Sequence, residues 1–580
     1  MKKRSLLLLG AMVLVCLAGL MAVNADDDEE KTKAKVWLGY RAHNINDSPT
    51  RVGEYETLKD SLAAAFKLSR YTAEQGFFAY GRILDADDID AMFRGDFSRV
   101  LRFDGEYTRL YHRMEHDPLT NLQAVAAPKV TRYTDFDPGA EYSTVYTEMK
   151  AGAEFNHPDV PWLVLEIGFR HEQRDGMKQV RTMSKCSNCH IVGYSHLVDQ
   201  TTRDFSLGAK VESDNVSLRY RFKSREFRDR AGTPTHVYDD ATHPSLGTPV
   251  FYDRVQFWSA DGAMPFNMTP DVDKQTHILE ATITGETMGT LNAGYVHSNV
   301  KNLFTELEMN FDSFRGNYAK KLAKNMGVSL RGVYYNIDSD DVFVDVNEPL
   351  AAAGPYAGQT YRQRWDDGTL TGDFTRQSWV DRTVYQFDAD LNYAFAPKTR
   401  ARVSYRYKQT DRDNHEVADG EHASTSNRFK LALSSRKMKD LTLRGHFIYE
   451  DISNPFAGVD IAGMQNFNPA PTSSPLAPDS IQYFQLYNSR MVDLTNQPDR
   501  VLEFNGALTY RPMPNVSFSA GLKWNDLKNS SLDYSEWEKT RTALNASLWF
   551  ALSEQAYGTI AYYFKTEETN AAVVLPLFDG

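Results

Sequence analysis

Phe205-Ser206-Leu207-Gly208-Ala209-Lys210-Val211 runs through Glu212-Ser213-Asp214-Asn215 into Val216-Ser217-Leu218-Arg219-Tyr220-Arg221-Phe222-Lys223. In each arm apolar and polar residues take turns. Successive side chains of a strand point to opposite faces, so such an arm has one apolar and one polar face. Two arms joined by four polar residues read as a β-hairpin.

The unit recurs along the chain. Tyr385, Phe387, Ala389, Leu391, Tyr393 and Phe395 lead into Ala396-Pro397-Lys398-Thr399, and Ala401, Val403, Tyr405 and Tyr407 lead away. Phe429, Leu431 and Leu433 precede a turn near 436–440, followed by Leu441, Leu443, Gly445, Phe447 and Tyr449. Alternating arms also flank 511–515 and Ser553-Glu554. Long polar or Pro-rich connections separate these tight hairpins, at 224–274, 336–383, 408–428, 450–500 and 525–540. Short turns at one end and long loops at the other, with Tyr and Phe at strand ends, are the asymmetry of an outer-membrane barrel. At ~40 residues per hairpin and loop the length implies roughly 24–28 strands. The expected fold is therefore all-β, a large antiparallel transmembrane β-barrel with short periplasmic turns and long extracellular loops. A soluble sandwich or propeller could alternate in the same way. The export signal, the loop asymmetry and the aromatic ends favour the membrane.

That signal is the N-terminus: Met1-Lys2-Lys3-Arg4, an apolar run from Leu6 to Ala22, and Val23-Asn24-Ala25 before the acidic Asp26 to Glu30. It reads as a signal peptide over 1–25, with 26–580 as the barrel. No later run approaches ~18 apolar residues, as a spanning helix would need. A net charge of −12 without a basic stripe argues against nucleic acid. The terminal strand is the least regular, since Phe578 stands two residues short of the end.

Of three cysteines, Cys16 falls in the signal. The other two form Cys186-Ser187-Asn188-Cys189-His190. C-x-x-C-H is the attachment pattern of a c-type haem, with thioethers from Cys186 and Cys189 and His190 as the axial ligand of the haem iron. His196 is the leading candidate for the distal ligand, ahead of Met183 and His171. A disulfide or redox pair, or a zinc site completed by His196, stays open as an alternative. Hairpin parity places the carrying segment, 171–203, at the long-loop end. Acidic runs at Asp85 to Asp88, Asp338 to Asp341 and Asp411 to Asp413 read as solvated loops rather than calcium sites. The chain has no nucleophile elbow, phosphate loop, H-E-x-x-H or dinucleotide fingerprint, so an enzyme is not expected.

The signal, the very large barrel, Tyr-rich strands such as Val403-Ser404-Tyr405-Arg406-Tyr407 followed by Asp411-Arg412-Asp413-Asn414, and the solitary C-x-x-C resemble the MtrB/PioB family of outer-membrane barrels. The resemblance spans most of 35–570. It implies a sheath in outer-membrane lipid around a periplasmic multihaem c-type cytochrome that meets an extracellular multihaem cytochrome, supporting extracellular electron transfer. The haems would then come from the partner, with one covalent haem c of the chain's own at Cys186 and Cys189. Some members of that family carry a C-x-x-C close to the mature N-terminus, whereas here it lies at 186–189 with a following His. The competing expectation is a diffusion porin or transporter for small solutes with no redox partner.

Overall fold

The computed structural model describes residues 32–46, 48–120, 132–183, 190–238, 262–343, 375–376, 380–412, 423–453, 455, 498–530 and 537–570. Within them the chain is almost wholly strand. Lys33–Arg41 (β1), Ser61–Tyr71 (β2), Gln75–Asp85 (β3), Asp88–Phe97 (β4) and Leu101–Arg113 (β5) come first, with one helical turn, Pro49–Val52, between β1 and β2. Arg132–Asp135 (β6), Ser143–Asn156 (β7), Leu163–Met183 (β8), His190–Glu212 (β9) and Val216–Asp229 (β10) follow. Thr235–Val237 (β11) pairs with Ala263–Pro265 (β12) in a small ribbon. Val272–Gly285 (β13), Gly289–Asn302 (β14), Glu308–Ala323 (β15) and Met326–Ser339 (β16) precede a second ribbon, Val342–Phe343 (β17) with Thr375–Arg376 (β18). The wall is completed by Arg382–Ala396 (β19), Thr399–Asp411 (β20), Ala423–Ser435 (β21), Leu441–Ser453 (β22), Arg500–Met513 (β23), Val516–Asn529 (β24), Trp537–Ala551 (β25) and Tyr557–Asn570 (β26).

Of these strands, 22 share one sheet. Setting aside β6, which pairs in parallel with the tip of β9, leaves 21 antiparallel staves in sequence order from β1 to β26. Each stave pairs with the next along the chain, the arrangement of an up-and-down barrel wall. The tight turns expected after β9, β19, β21, β23 and β25 are all present, and those after β7, β13 and β15 lie at the same end. The long connections leave from the other end, apart from the short links β3–β4 and β14–β15. The signal segment and the stretch with Phe578 lie outside the described residues.

Face assignment follows from exposure. On β21, Phe429, Leu431 and Leu433 are half exposed, at 52%, 46% and 50%, although apolar. Register carries that face across the wall through Tyr405 and Val403 on β20 and through Tyr449 and Phe447 on β22. A continuous exposed apolar band is what lipid contact requires. The opposite face of the same strands, with Arg402, Ser404, Arg406, Arg428 and Lys430, lines the interior. The protein is an outer-membrane β-barrel.

Near the N-terminus the band is built differently. Phe93 pairs across from Gly105, Gly95 from Phe103, and Phe66 from Gly81. A Cβ on Gly95 would stand 2.3 Å from the Phe103 ring, and one on Gly105 2.2 Å from Phe93. Each ring therefore lies over the bare backbone of its neighbour, covering its hydrogen bonds from the outside.

Placing a cation on the lipid face tests the assignment. Leu431→Arg should destabilise refolded protein by about 2–4 kcal/mol in denaturant titration followed by heat-modifiable gel mobility. Ser434→Arg, on the interior face of the same strand, should cause no comparable loss.

Candidate functional site

Two places concentrate polar chemistry: the interior wall and a knob at the long-loop end. The wall is laced by ion pairs between adjacent staves. Arg402 forks onto Asp390, with Nε–Oδ1 at 2.9 Å and Nη2–Oδ2 at 2.7 Å, and Ser404 donates to the same carboxylate. Arg406 donates to Asp388 at 2.5 Å, and Arg428 stands 3.8 Å from Glu450. His446 contacts Glu503 at 2.8 Å, and Asn525 donates to its other oxygen at 2.7 Å. On the far side of β16, Arg170 reaches Glu148 at 2.5 Å, Asp204 at 3.4 Å and also Glu172. Arg225 takes both oxygens of Asp204 at 2.7 and 2.8 Å, and Arg219 takes Glu166 at 2.6 Å. Alternation produces these contacts: interior residues stand directly opposite, as Arg406 and Asp388 or Arg225 and Asp204, or one step diagonal, as Arg402 and Asp390, while Arg219 reaches Glu166 across Gly208 of β9.

Cations outnumber acids along part of this wall. Lys223, Lys274, Arg400, Lys408 and Lys430 have no ion-pair partner among the described residues. Lys223 and Lys274 line one hollow with Lys150, Arg170, Ser206 and Thr276. Among the described residues no group of three or more His, Cys, Asp or Glu side chains could hold a metal ion.

The knob stands on the hairpin β8–β9. Its two strands pair from Leu163↔Val211 to Met183↔Ile191, while β7 ends opposite Met177 and β10 opposite Gln200. The hairpin therefore projects about six residues past its neighbours, roughly 20 Å. Segment 171–203, expected as loop, is strand on both sides of a short tip. Around the projection the preceding and following connections fold back into a small core of Leu119, Tyr142, Val180, Val192, Val198 and Tyr238, each at most 5% exposed. Gln179 locks it by exchanging hydrogen bonds with the backbone of Asp117, at 3.1 and 2.8 Å. Phe136 stacks on Tyr194 at 4.7 Å, and the Tyr194 hydroxyl meets His236 Nδ1 at 2.7 Å. Asp137 accepts from the Ser195 backbone N–H at 2.7 Å, which holds its carboxyl below the usual range.

Cys186 and Cys189 belong to the tip at 184–189, outside the described residues, as does the side chain of His190. The backbone of His190 pairs beside Arg132 at the start of β9. His196 lies six residues further along that strand, its backbone roughly 20 Å from that of His190. His196 faces Lys178, and burial together with that lysine lowers its pKa. His171 is further down, opposite Arg203, whereas Met183 sits at the tip beside Ile191. A covalent haem at the tip predicts haem staining after denaturing electrophoresis that disappears in a Cys186→Ala/Cys189→Ala variant. A disulfide predicts unstained protein and a mass change on reduction.

No family model matches the chain, and no curated protein matches it. Among solved structures it is similar to the ferric-catecholate import receptor Fiu of K12 E. coli, at 9% identity and TM-score 0.38, over 93% of this chain and 81% of that one. The ferric enterobactin receptor PfeA of Pseudomonas aeruginosa, crystallised as a mutant, gives 8% and 0.41 over 91% and 76%. The FrpB iron transporter of Neisseria meningitidis gives 9% and 0.41 over 88% and 80%. These are transport receptors, not cytochrome sheaths. The expected membership of the MtrB/PioB family is corrected accordingly. So is the expected role in extracellular electron transfer, with its lumen cytochrome and its extracellular cytochrome partner. Among the described residues 22 strands share one sheet, so the large-barrel fold stands and the correction falls on family and role alone.

The knob should loosen in acid. Asp137, with its depressed pKa, contributes stability above the unfolded carboxyl range and loses it as pH falls through its folded value. His196, also depressed, opposes folding once pH falls below its unfolded value near ~6.5. Both changes have the same sign. The hydrogen-exchange protection factors of residues 190–199, corrected for the intrinsic pH dependence of exchange, should fall on acidification, and Asp137→Ala should bring that fall to neutral pH.

Proposed function

We propose that the protein is an outer-membrane channel for small polar solutes, acting without a redox partner and without catalysing a reaction. One observation carries this reading: all around the wall an ionisable, hydrogen-bonding interior is set back to back with an apolar exterior. An interior meant for close apolar packing would not spend Arg, Lys, Asp and Glu on alternate positions of so many staves. Charged lumen walls orient water and ions along an aqueous path, and their side chains tune what passes. The cross-strand forks hold those side chains against the wall and keep them out of the bore. The transport receptors that resemble the chain agree with a transport role in general terms and leave the solute open.

Purified protein inserted into a planar bilayer should give stepwise conductance, and proteoliposomes should swell in small sugars up to a size limit. Absence of both would refute the channel.

A further inference from the structure

We propose that the lumen prefers small anions, and that the cations of β20 and β21 set the preference. The inference rests on the channel reading and names its solute class. The chain as a whole is acidic, at −12, yet the interior faces of these two adjacent strands carry only positive charge. The six residues are Arg400, Arg402, Arg406 and Lys408 on β20 and Arg428 and Lys430 on β21. The remaining interior positions there are Ser404, Thr410, Ser424, Ser426, Ala432 and Ser434, none of them acidic.

Flanking strands cancel half of that charge. Asp390 and Asp388 on β19 take Arg402 and Arg406, and Glu450 on β22 lies beside Arg428. Arg400, Lys408 and Lys430 are left over, spread along the strands. Ser404 pairs directly with Lys430, and Lys408 with Ser426, so each free ammonium has a small hydroxyl neighbour across the strand gap and no carboxylate.

A second site of the same character lies on β10, where Lys223 stands between the paired Arg219 and Arg225, with Lys274 of β13 nearby. β13, β14, β15, β16 and β19 separate it from β20. Free cations thus face the bore from two parts of its circumference. A charged bore with low-dielectric walls concentrates ions of opposite sign and repels those of like sign. Within a Debye length of the wall, about 8 Å at physiological ionic strength, that bias survives screening. Because the cations are side chains on rigid staves, an anion meets them without any rearrangement.

The test is the zero-current potential of single channels under a potassium chloride gradient, with wild type and an R400Q/K408Q/K430Q variant. Wild type should pass chloride several-fold more readily than potassium, and potassium sulfate or phosphate should give the same sign. The variant should move the ratio toward one while keeping its heat-modifiable mobility and its conductance steps, which shows that the barrel is intact. Current that prefers potassium, or neither ion, would overturn the anion preference and leave the channel standing. An anion preference unchanged in the variant would overturn the assignment to β20 and β21. Protein that folds and carries no current would overturn the channel reading and this inference together.

Discussion

Hydrocarbon offers no hydrogen bond, so every backbone N–H and C=O in the membrane must find its partner in the chain itself. The stave order follows from that demand. Each stave from β2 to β25 is bonded on both sides by its neighbours along the chain, and side chains are left free to specialise by face. Alternation therefore does two jobs with one pattern: odd and even positions are assigned to lipid and to water before any tertiary contact forms. The Phe–Gly pairs of β2 to β5 serve the same constraint by shielding backbone where no side chain is available.

On the interior face the same geometry brings opposite charges together. Arg402 and Asp390 meet because β19 and β20 are in register, and Asp204 serves both Arg170 and Arg225 because it lies between their strands. Such forks depend on register, since a shift of one residue would turn them toward lipid at prohibitive cost. They act as register markers as well as a lining, and the cations they leave unpaired give the bore its sign.

Much of the wall was legible in the sequence. The arms around 212–215 and 396–399 form the hairpins their alternation announces, and the turn positions agree to within a residue or two. The first staves were harder to read because Gly81, Gly95 and Gly105 occupy lipid-facing positions where an apolar residue would have continued the pattern. The knob was invisible to periodicity. Val180, Val192 and Val198 look like ordinary strand residues until Leu119, Tyr142 and Tyr238 arrive from distant connections to cover them. Segment 171–203, which carries Cys186, Cys189 and His190, read as a loop and is strand on both sides of 184–189. Pairing of β8 with β9 holds His196 well down the strand. The cytochrome sheath rested on a family resemblance carried by Tyr-rich strands and the solitary C-x-x-C, features that do not by themselves say what fills a barrel.

The odd number of staves among the described residues has a consequence of its own. In a strict meander of 21, β1 and β26 ascend in the same sense. Any junction between them must use the slanted, evenly spaced bonding of parallel strands, unlike every other junction in the wall. A cylinder with one such line is not uniform around its girth. Such a line would join the first-made stave to the last, at a greater sequence separation than any pairing among the described staves.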